Sequence, residues 1–523
     1  LTPAGPAQHR ADMDQFTSPL KPGSDRERQA WLELQSRLGP MFRDVYIDPA
    51  APRTIVVVPS LSLDPETLAK VSGVRHYEER QLSMLMWLRL PNTRVVYVTS
   101  EPLDPVIVDY YLSLLDGVPG LHARRRLVLL SAYDATLVTL TRKILDRPRL
   151  IQRIRQAVGD PAHAHLSVFH ATAEELTLSV QLGIPLYACD PAHAGLGSKS
   201  GSRKLFRAVG VPCPDGHEDL RDSADIATAI AALKQRNPQL TRAVVKFNDG
   251  FSGEGNAVFD YAPDDPQPLT GAWVELELWR RLKPEAPDLK YTRYLERFEE
   301  QGGIVEAWVD GRWKRSPSVQ LRITPTGALE LISTHDQVLG GRTGQVFQGS
   351  TFPADPAYAC DLHDYGMRVG LALRERGAMG RFAVDFVSVP TDQGWKHVAI
   401  EINLRKGGTT LPYHMLQFMT GGSYDAATAR FRTPAGQERA YYATDNLVNP
   451  AYRRLSPEDL IDVMVGEGLL FNPHRETGVV FNLIGALSEF GKLGVIAIDA
   501  DVQSAEALYR RTVDVLDRAT LGD

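Results

Sequence analysis

The chain has 523 residues, 43% hydrophobic and 23% charged, with a formal net charge of -6. This is the composition of a folded globular protein with room for two to four domains, and its acidic balance offers nothing to a nucleic acid or a membrane surface. No run approaches the roughly 20 apolar residues of a membrane span. The start lacks a signal-peptide core, so a cytoplasmic protein is expected, although Leu1 in place of Met leaves room for residues upstream. Cys189, Cys213 and Cys360 are too widely spaced for a disulfide framework or a zinc site.

In chain order, residues 1–27 read as a mobile polar leader. Trp31–Leu38 reads as a short helix stopped by Gly39-Pro40. Apolar strands follow at Thr54–Pro59, Arg94–Thr99 and Leu127–Ser131, alternating with helical stretches near 81–90, 104–116 and 135–156. A helix over Ala171–Leu182 runs into a further strand from Gly183. Buried strands alternating with helices predict a parallel sheet covered on both faces.

From about 195 the pattern changes. Ser198–Val209 predicts a helix closed by Gly210 and Pro212, and a second helix is expected over 218–235. The strand Ala243–Phe247, a glycine loop and the strand Ala257–Tyr261 follow, then a helix near 273–283. Gly303–Val309, Ser318–Ile323 and Ala328–Ser333 are strands, the last two joined by a Thr-Pro-Thr-Gly turn as an antiparallel meander. The tail carries strands at Gly478–Ile484 and Leu493–Ile498 and a helix over roughly 503–518.

Two strands near residue 400 carry oxygen ligands. Ala383–Val387 contains Asp385, and Val398–Arg405 contains Glu401 and Asn403 on one face, with Ile400, Ile402 and Leu404 on the other. A turn at Thr391–Gly394 folds the two into a hairpin. Three hard oxygen donors suit Mg²⁺ or Mn²⁺; His397 is the only nitrogen ligand close by, too few for zinc. By itself Glu-Ile-Asn fits an ordinary polar strand equally well; the pairing with Asp385 and the presence of Arg405 favour the metal. Arg405 lies at the same alternation and suits phosphate oxygens.

Upstream, Lys246 closes a strand before a loop containing Gly250, Ser252, Gly253 and Gly255, whose backbone amides are able to cradle phosphate. Seen alone such a hairpin is most often only a turn, and no Walker sequence follows. Lys199 opens a helix, where a lysine usually faces solvent. Glu306, Trp308 and Val309 belong to a strand end whose backbone has the donors and acceptors to pair with an adenine edge, though Glu306 alone reads as a strand-edge charge.

Taken in order, these elements resemble the ATP-grasp superfamily over roughly 195–425, while 50–190 is similar to the Rossmann-like substrate domain that precedes it. The resemblance implies an α/β and α+β chain. Its parts are a leader and short helix (1–50), a pre-ATP-grasp domain (51–194), an ATP-grasp domain (195–435) with a glycine-flap subdomain at about 210–310, and a small α+β C-terminal domain (436–523). It implies ATP and Mg²⁺ as cofactors, with Lys199, Lys246, the flap and Glu306, Trp308 and Val309 around the nucleotide. Asp385, Glu401 and Asn403 would be metal ligands and Arg405 the phosphate arginine. Ser198 stands where the family often has Asp, and no ribose-binding acid is evident.

The tail from Gly478 to Ile498, with Leu508–Val513, looks like that of the pheganomycin-type peptide ligases. This implies an ATP-dependent carboxylate–amine ligase acting through an acyl phosphate on small-molecule acids and on amines or peptide N-termini, with a homodimer left open. Arg381 or Arg322 is a candidate for the substrate carboxylate, although an arginine so placed is more often an ordinary surface or ion-pair residue. His335, Asp336, Arg342 and His414 are candidates for the acceptor pocket. A kinase on the same fold and a non-catalytic nucleotide-binding protein are the alternatives.

Overall fold

The structure is a computed structural model that describes residues 20–250, 255–286, 289–311, 313–340, 344 and 346–521. Near its start lie two helices, Asp25–Gln35 and Leu38–Ile47. Gly39-Pro40 does not stop a helix but sits in the first turn of the second, where the missing proline N–H has no intrahelical partner to lose. Trp31 and Leu34 bury against Val180.

Four parallel strands follow, β1 (Arg53–Val58), β2 (Thr93–Thr99), β3 (Leu127–Ser131) and β4 (Ala164–Val168), in the order β3-β2-β1-β4. Every residue of β1 is buried, as a strand with helices on both faces requires. The expected strand after Gly183 is reduced to an isolated parallel bridge between Leu186 and Leu166. On the outer edge of this segment the Gln35 amide accepts from the Leu186 N–H at 3.0 Å and donates to the Leu186 carbonyl at 2.9 Å, which closes the edge to a further strand. Strand order reverses between β1 and β4, which opens a crevice at their carboxyl ends.

The next sheet holds β5 (Gly216–Leu220), β6 (Arg242–Phe247), β7 (Asn256–Asp260), β8 (Leu282–Pro284) and β9 (Gly303–Ala307), antiparallel in the order β5-β9-β6-β7-β8. Residues expected to begin a helix at 218 instead form the edge strand β5. The helix starts at Ser223, because the Asp222 side chain caps it by accepting from the Asp225 N–H. That helix, Gly271–Arg281 and Tyr291–Gln301 share one apolar core with the sheet.

The largest sheet contains β10 (Pro317–Ile323), β11 (Leu329–Gly340), β12 (Val346–Phe352), β13 (Gly380–Thr391) and β14 (Gly394–Asn403). After the short ribbon β15 (Ser423–Asp425) and β16 (Arg430–Arg432), the sheet continues through β17 (Ala440–Val448), β18 (Gly478–Asn482) and β19 (Lys492–Asp499). Its order is β14-β13-β10-β11-β12-β17-β19-β18. The tail from 436 onward therefore extends the same sheet across the β12–β17 pairing at Ser350–Ala443 to Phe352–Tyr441. Helix Pro356–Glu375 packs over β10, β11 and β13, and helix Val502–Thr520 over β17 and β19. Among the described residues no helix is long and apolar enough to cross a membrane.

Candidate active site

A cavity of about 1430 Å³ is lined from β6 and β9, from β10–β14, from the segment Lys70–Arg80, and from Tyr442, Lys492 and Glu506 in the tail. The β13–β14 hairpin puts Asp385 opposite Glu401 and Ala383 opposite Asn403, as the alternation predicts. The Asn403 amide donates to Asp385 Oδ2 at 3.0 Å and to Glu401 Oε1 at 3.3 Å, so the oxygens of both acids converge on one point. A bulge after Asp385 gives β14 an extra residue there. Ile400, expected to face away from Glu401, consequently lines the cavity with it, while Ile402 stays in the core.

Burial raises the Asp385 carboxyl above the ordinary carboxylate range, against hydrogen bonds from Ser318 and Gln337 and the charges of Lys199 and Arg405. Among the described residues no cluster of three or more His, Cys, Asp or Glu side chains could hold a metal. What the hairpin offers is two carboxylates and an amide, and Mg²⁺ typically takes one or two protein carboxylates and completes its shell with water and phosphate. An amide turned through 180° presents oxygen in place of NH₂. The donor set therefore fits Mg²⁺.

Lys199 makes an ion pair with Glu401. It is held there because Ser198 caps its helix, accepting from the Gly201 N–H. The Lys199 and Ser200 N–H groups donate to the Asn248 carbonyl and side-chain oxygen at 3.1 and 3.0 Å. Burial, then the charges of Lys246 and Arg405, push the Lys199 ammonium down to about 8, with Asp385 and Asp249 opposing. Arg405 lines the same cavity, its guanidinium 5.8 Å from the Phe169 ring, and is pushed down to about 10 by burial and by Arg80.

Glu306 is not free to address a base. Its two oxygens bind Lys246 Nζ at 2.6 Å and Arg203 at 2.7 Å, and Arg203 also reaches Glu218 at 2.7 Å. The Ala307 and Trp308 N–H groups are already donated to the Asp215 and Arg242 carbonyls. Two cations lie close to the Trp308 ring, Arg242 at 4.1 Å and Lys314 at 4.3 Å, and Val309 lines the cavity. Gly250 and Gly255 line it too; Ser252 and Gly253 lie outside the described residues.

Arg381 is on the Asp385 face of β13 but four residues along, roughly 13 Å at the usual strand rise, and it does not line the cavity. Arg322 is paired with Glu330. His335 does not line an acceptor pocket: it is fully buried among Phe352, Tyr413 and Tyr441, with Nε2 2.6 Å from the Tyr441 hydroxyl. Asp336 lines the cavity but accepts from the Tyr358 hydroxyl and the Asp355 N–H. His414 is buried near Arg381 and Lys406, and Arg342 lies outside the described residues. Sequence reasoning missed Arg203, although its spacing of four from Lys199 puts both on one helix face. It also missed Arg80 and Lys406, which carry no local motif.

A cleft between two antiparallel sheets, with paired lysines on one wall and a carboxylate hairpin on the other, is the frame of an ATP-grasp enzyme. The family described as IQCH-like ATP-grasp matches residues 192–265 and 289–427, and the PGM1 C-terminal domain family matches 459–512. The chain is 30% identical over 473 residues to an L-propargylglycine–L-glutamate ligase of Streptantibioticus cattleyicolor, covering 88% of this chain and 94% of that one. It is 23% identical to IQ motif-containing protein H of Danio rerio, and spans about half (48%) of that relative's length. Among solved structures, an ADP complex of N5-carboxyaminoimidazole ribonucleotide synthetase superposes with a TM-score of 0.50 at 12% identity, over 90% of this chain and 98% of that one. Biotin carboxylase from Campylobacter jejuni gives 0.52 at 12%, over 90% and 95%. The chain belongs to the ATP-grasp superfamily, and its similarity to an amino-acid ligase runs through the tail as well as the cleft.

Proposed function

We propose that the chain is an ATP-dependent ligase that joins an amino-acid-like carboxylate to an amine or peptide N-terminus through an acyl phosphate, releasing ADP and phosphate. The observation that carries this reading is the convergence of Asp385, Glu401 and Asn403 beside Lys199, on the wall of a cavity shared with Lys246 and Arg405.

In this reading Asp385, Glu401 and Asn403 hold Mg²⁺, or Mn²⁺, which when bound neutralises phosphate charge and fixes phosphate oxygens. Lys199 and Lys246 offer ammonium groups to the phosphates. Lys246 leaves Glu306 to do so, and Arg203 stays behind to keep that carboxylate paired. Arg405 stabilises the transferring phosphoryl group. The segment around Gly250, Ser252, Gly253 and Gly255 covers the phosphates and keeps water from the activated acid. Trp308 and Val309 border the base, Glu306 acts from behind through Lys246, and Arg381 answers a substrate carboxylate. Residues 51–194 contribute substrate contacts, 195–435 hold the nucleotide, and 436–523 close the far end of the cleft.

The test is a screen of acids against amines and short peptides, reading ADP release and the mass of the conjugate. ADP and phosphate should appear efficiently only when acid and amine are both present. A stable phosphorylated product formed without any amine would replace the ligase reading with a kinase.

A further inference from the structure

A second group of charges lies outside the residues that line the cavity. On β13 and β10, Arg381 and Arg322 are direct cross-strand neighbours. Lys406 joins them, its ammonium donating to Ser167 Oγ at 2.6 Å, at the carboxyl end of β4, and to Gln81 Oε1 at 2.9 Å. Glu330 answers Arg322, with Nε 2.8 Å from the carboxylate. Among the described residues neither Arg381 nor Lys406 has an ion-pair partner, so three cations stand against one carboxylate. His414 from helix Thr410–Thr420 faces the same three cations, and burial with those charges holds it well below the usual histidine range. Burial, reinforced by Arg381, likewise pushes the Lys406 ammonium down to about 7.

Arg381 and Lys406 are half-buried; charge withdrawn from water without a counter-ion is costly, and a fold keeps it where a ligand supplies the opposite sign. A second, independent feature points the same way. Gln81 is buried and its Oε1 is committed to Lys406, yet its Nε2 donor has no partner. The cluster is also continuous with the reaction site. Ala383 lies between Arg381 and Asp385 on the same strand face and lines the cavity, and so do Arg405 and Gly407, on either side of Lys406.

We propose that Lys406 and Arg381 receive a carboxylate that a substrate carries in addition to the group that reacts. Lys406 is then a specificity residue, and at least one substrate is an anionic amino acid or peptide rather than a neutral acid or amine. This rests on the ligase reading. The carboxylate has two sources, a dicarboxylic donor or an acceptor with a free carboxylate, and the experiment separates them.

Kinetics would be measured on donor pairs that differ only in the non-reacting carboxylate, such as L-glutamate and L-glutamine, and on acceptor amino acids against their carboxamides. In the wild type, amidation in one arm should raise KM at least tenfold with kcat within a few-fold. Lys406→Gln should raise KM for the carboxylate form to that of the amide and leave the amide form unchanged, and Lys406→Arg should restore most of the preference. Ser167→Asp, which places a resident carboxylate beside Lys406, should abolish the preference without removing the lysine; it serves as the second variant should Lys406→Gln fold poorly. A wild type indifferent to amidation in both arms, or variants that lose both forms alike, would overturn the proposal. No ADP release with any pair would instead overturn the ligase reading on which it stands.

Discussion

Replacing Glu306 by Gln keeps the shape of the side chain and removes one charge from the Arg203–Glu306–Lys246 chain. Its side chain and those of Arg203 and Lys246 are 3%, 1% and 7% exposed, with contacts of 2.7 and 2.6 Å. At an effective dielectric near 20, a contact of about 4 Å carries about 4 kcal/mol; removing one partner of a buried pair costs about 3–5 kcal/mol net, because the remaining charge stays buried. Arg203 keeps Glu218, whereas Lys246 keeps no carboxylate among the described residues. Although burial pushes it up, Lys246 and Arg203 hold the Glu306 carboxyl below its ordinary value. The stability it contributes is therefore present above the unfolded pKa and lost as pH falls through the lower folded one. The assay is hydrogen exchange on peptides covering β6 and β9 at neutral pH. A loss of about 3–5 kcal/mol corresponds to roughly 140- to 4000-fold faster opening. Glu306→Gln combined with Lys246→Met should recover part of that loss, since the stranded cation is gone. Exchange within threefold of wild type, or a double variant no better than the single one, would refute the idea that this carboxylate is an internal counter-ion.

Glu401→Gln should leave the fold intact and lower ADP release by about 10²–10³-fold, the equivalent of about 3–4 kcal/mol of transition-state stabilisation; a loss under tenfold would remove Glu401 from the metal set. Gly201→Ala should destabilise by about 1–3 kcal/mol and raise KM for ATP, because the added Cβ runs into the Gly195 carbonyl and shifts the turn that carries Lys199; melting curves and ATP titration check both. Burial pushes His335 down to about 3. A neutral form favoured in the fold gives stability that is full above the unfolded pKa near 6.5 and is lost as pH falls toward 3. Moving from pH 7 to 5 should therefore cost about 2 kcal/mol, and urea unfolding at both values should show a smaller pH effect in His335→Gln.

What could be read in advance was what local chemistry dictates. Acids placed at alternate positions in apolar strands forecast the Asp385–Glu401–Asn403 cluster, and the apolar runs on either side of the glycines forecast β6 and β7. Features that depend on distant partners were not legible. Helix Pro356–Glu375 escaped notice because Gly366 and Gly370 look like breakers, yet a Cβ at Gly370 would collide with Leu329 and Phe382; the glycines let the helix lie flat on the sheet. The polar run Gly216–Leu220 has no apolar alternation, and becomes β5 only because β9 offers an edge. His335 looked like a pocket residue in the linear chain, and only the sheet reveals that Tyr441, 106 residues away, claims it.

The tail's strands share one hydrogen-bonded plate with the carboxylate hairpin, and this bears on which parts of the chain are interchangeable. The sheet is continuous from β14 to β18, so Glu401 at one side and Glu506, on the helix covering the other, are carried by the same hydrogen-bonded framework. Lys246 stands across the cleft on the separate five-stranded sheet. An exchange of tails between relatives would therefore need to bring β17 along, or leave the edge of β12 without its partner.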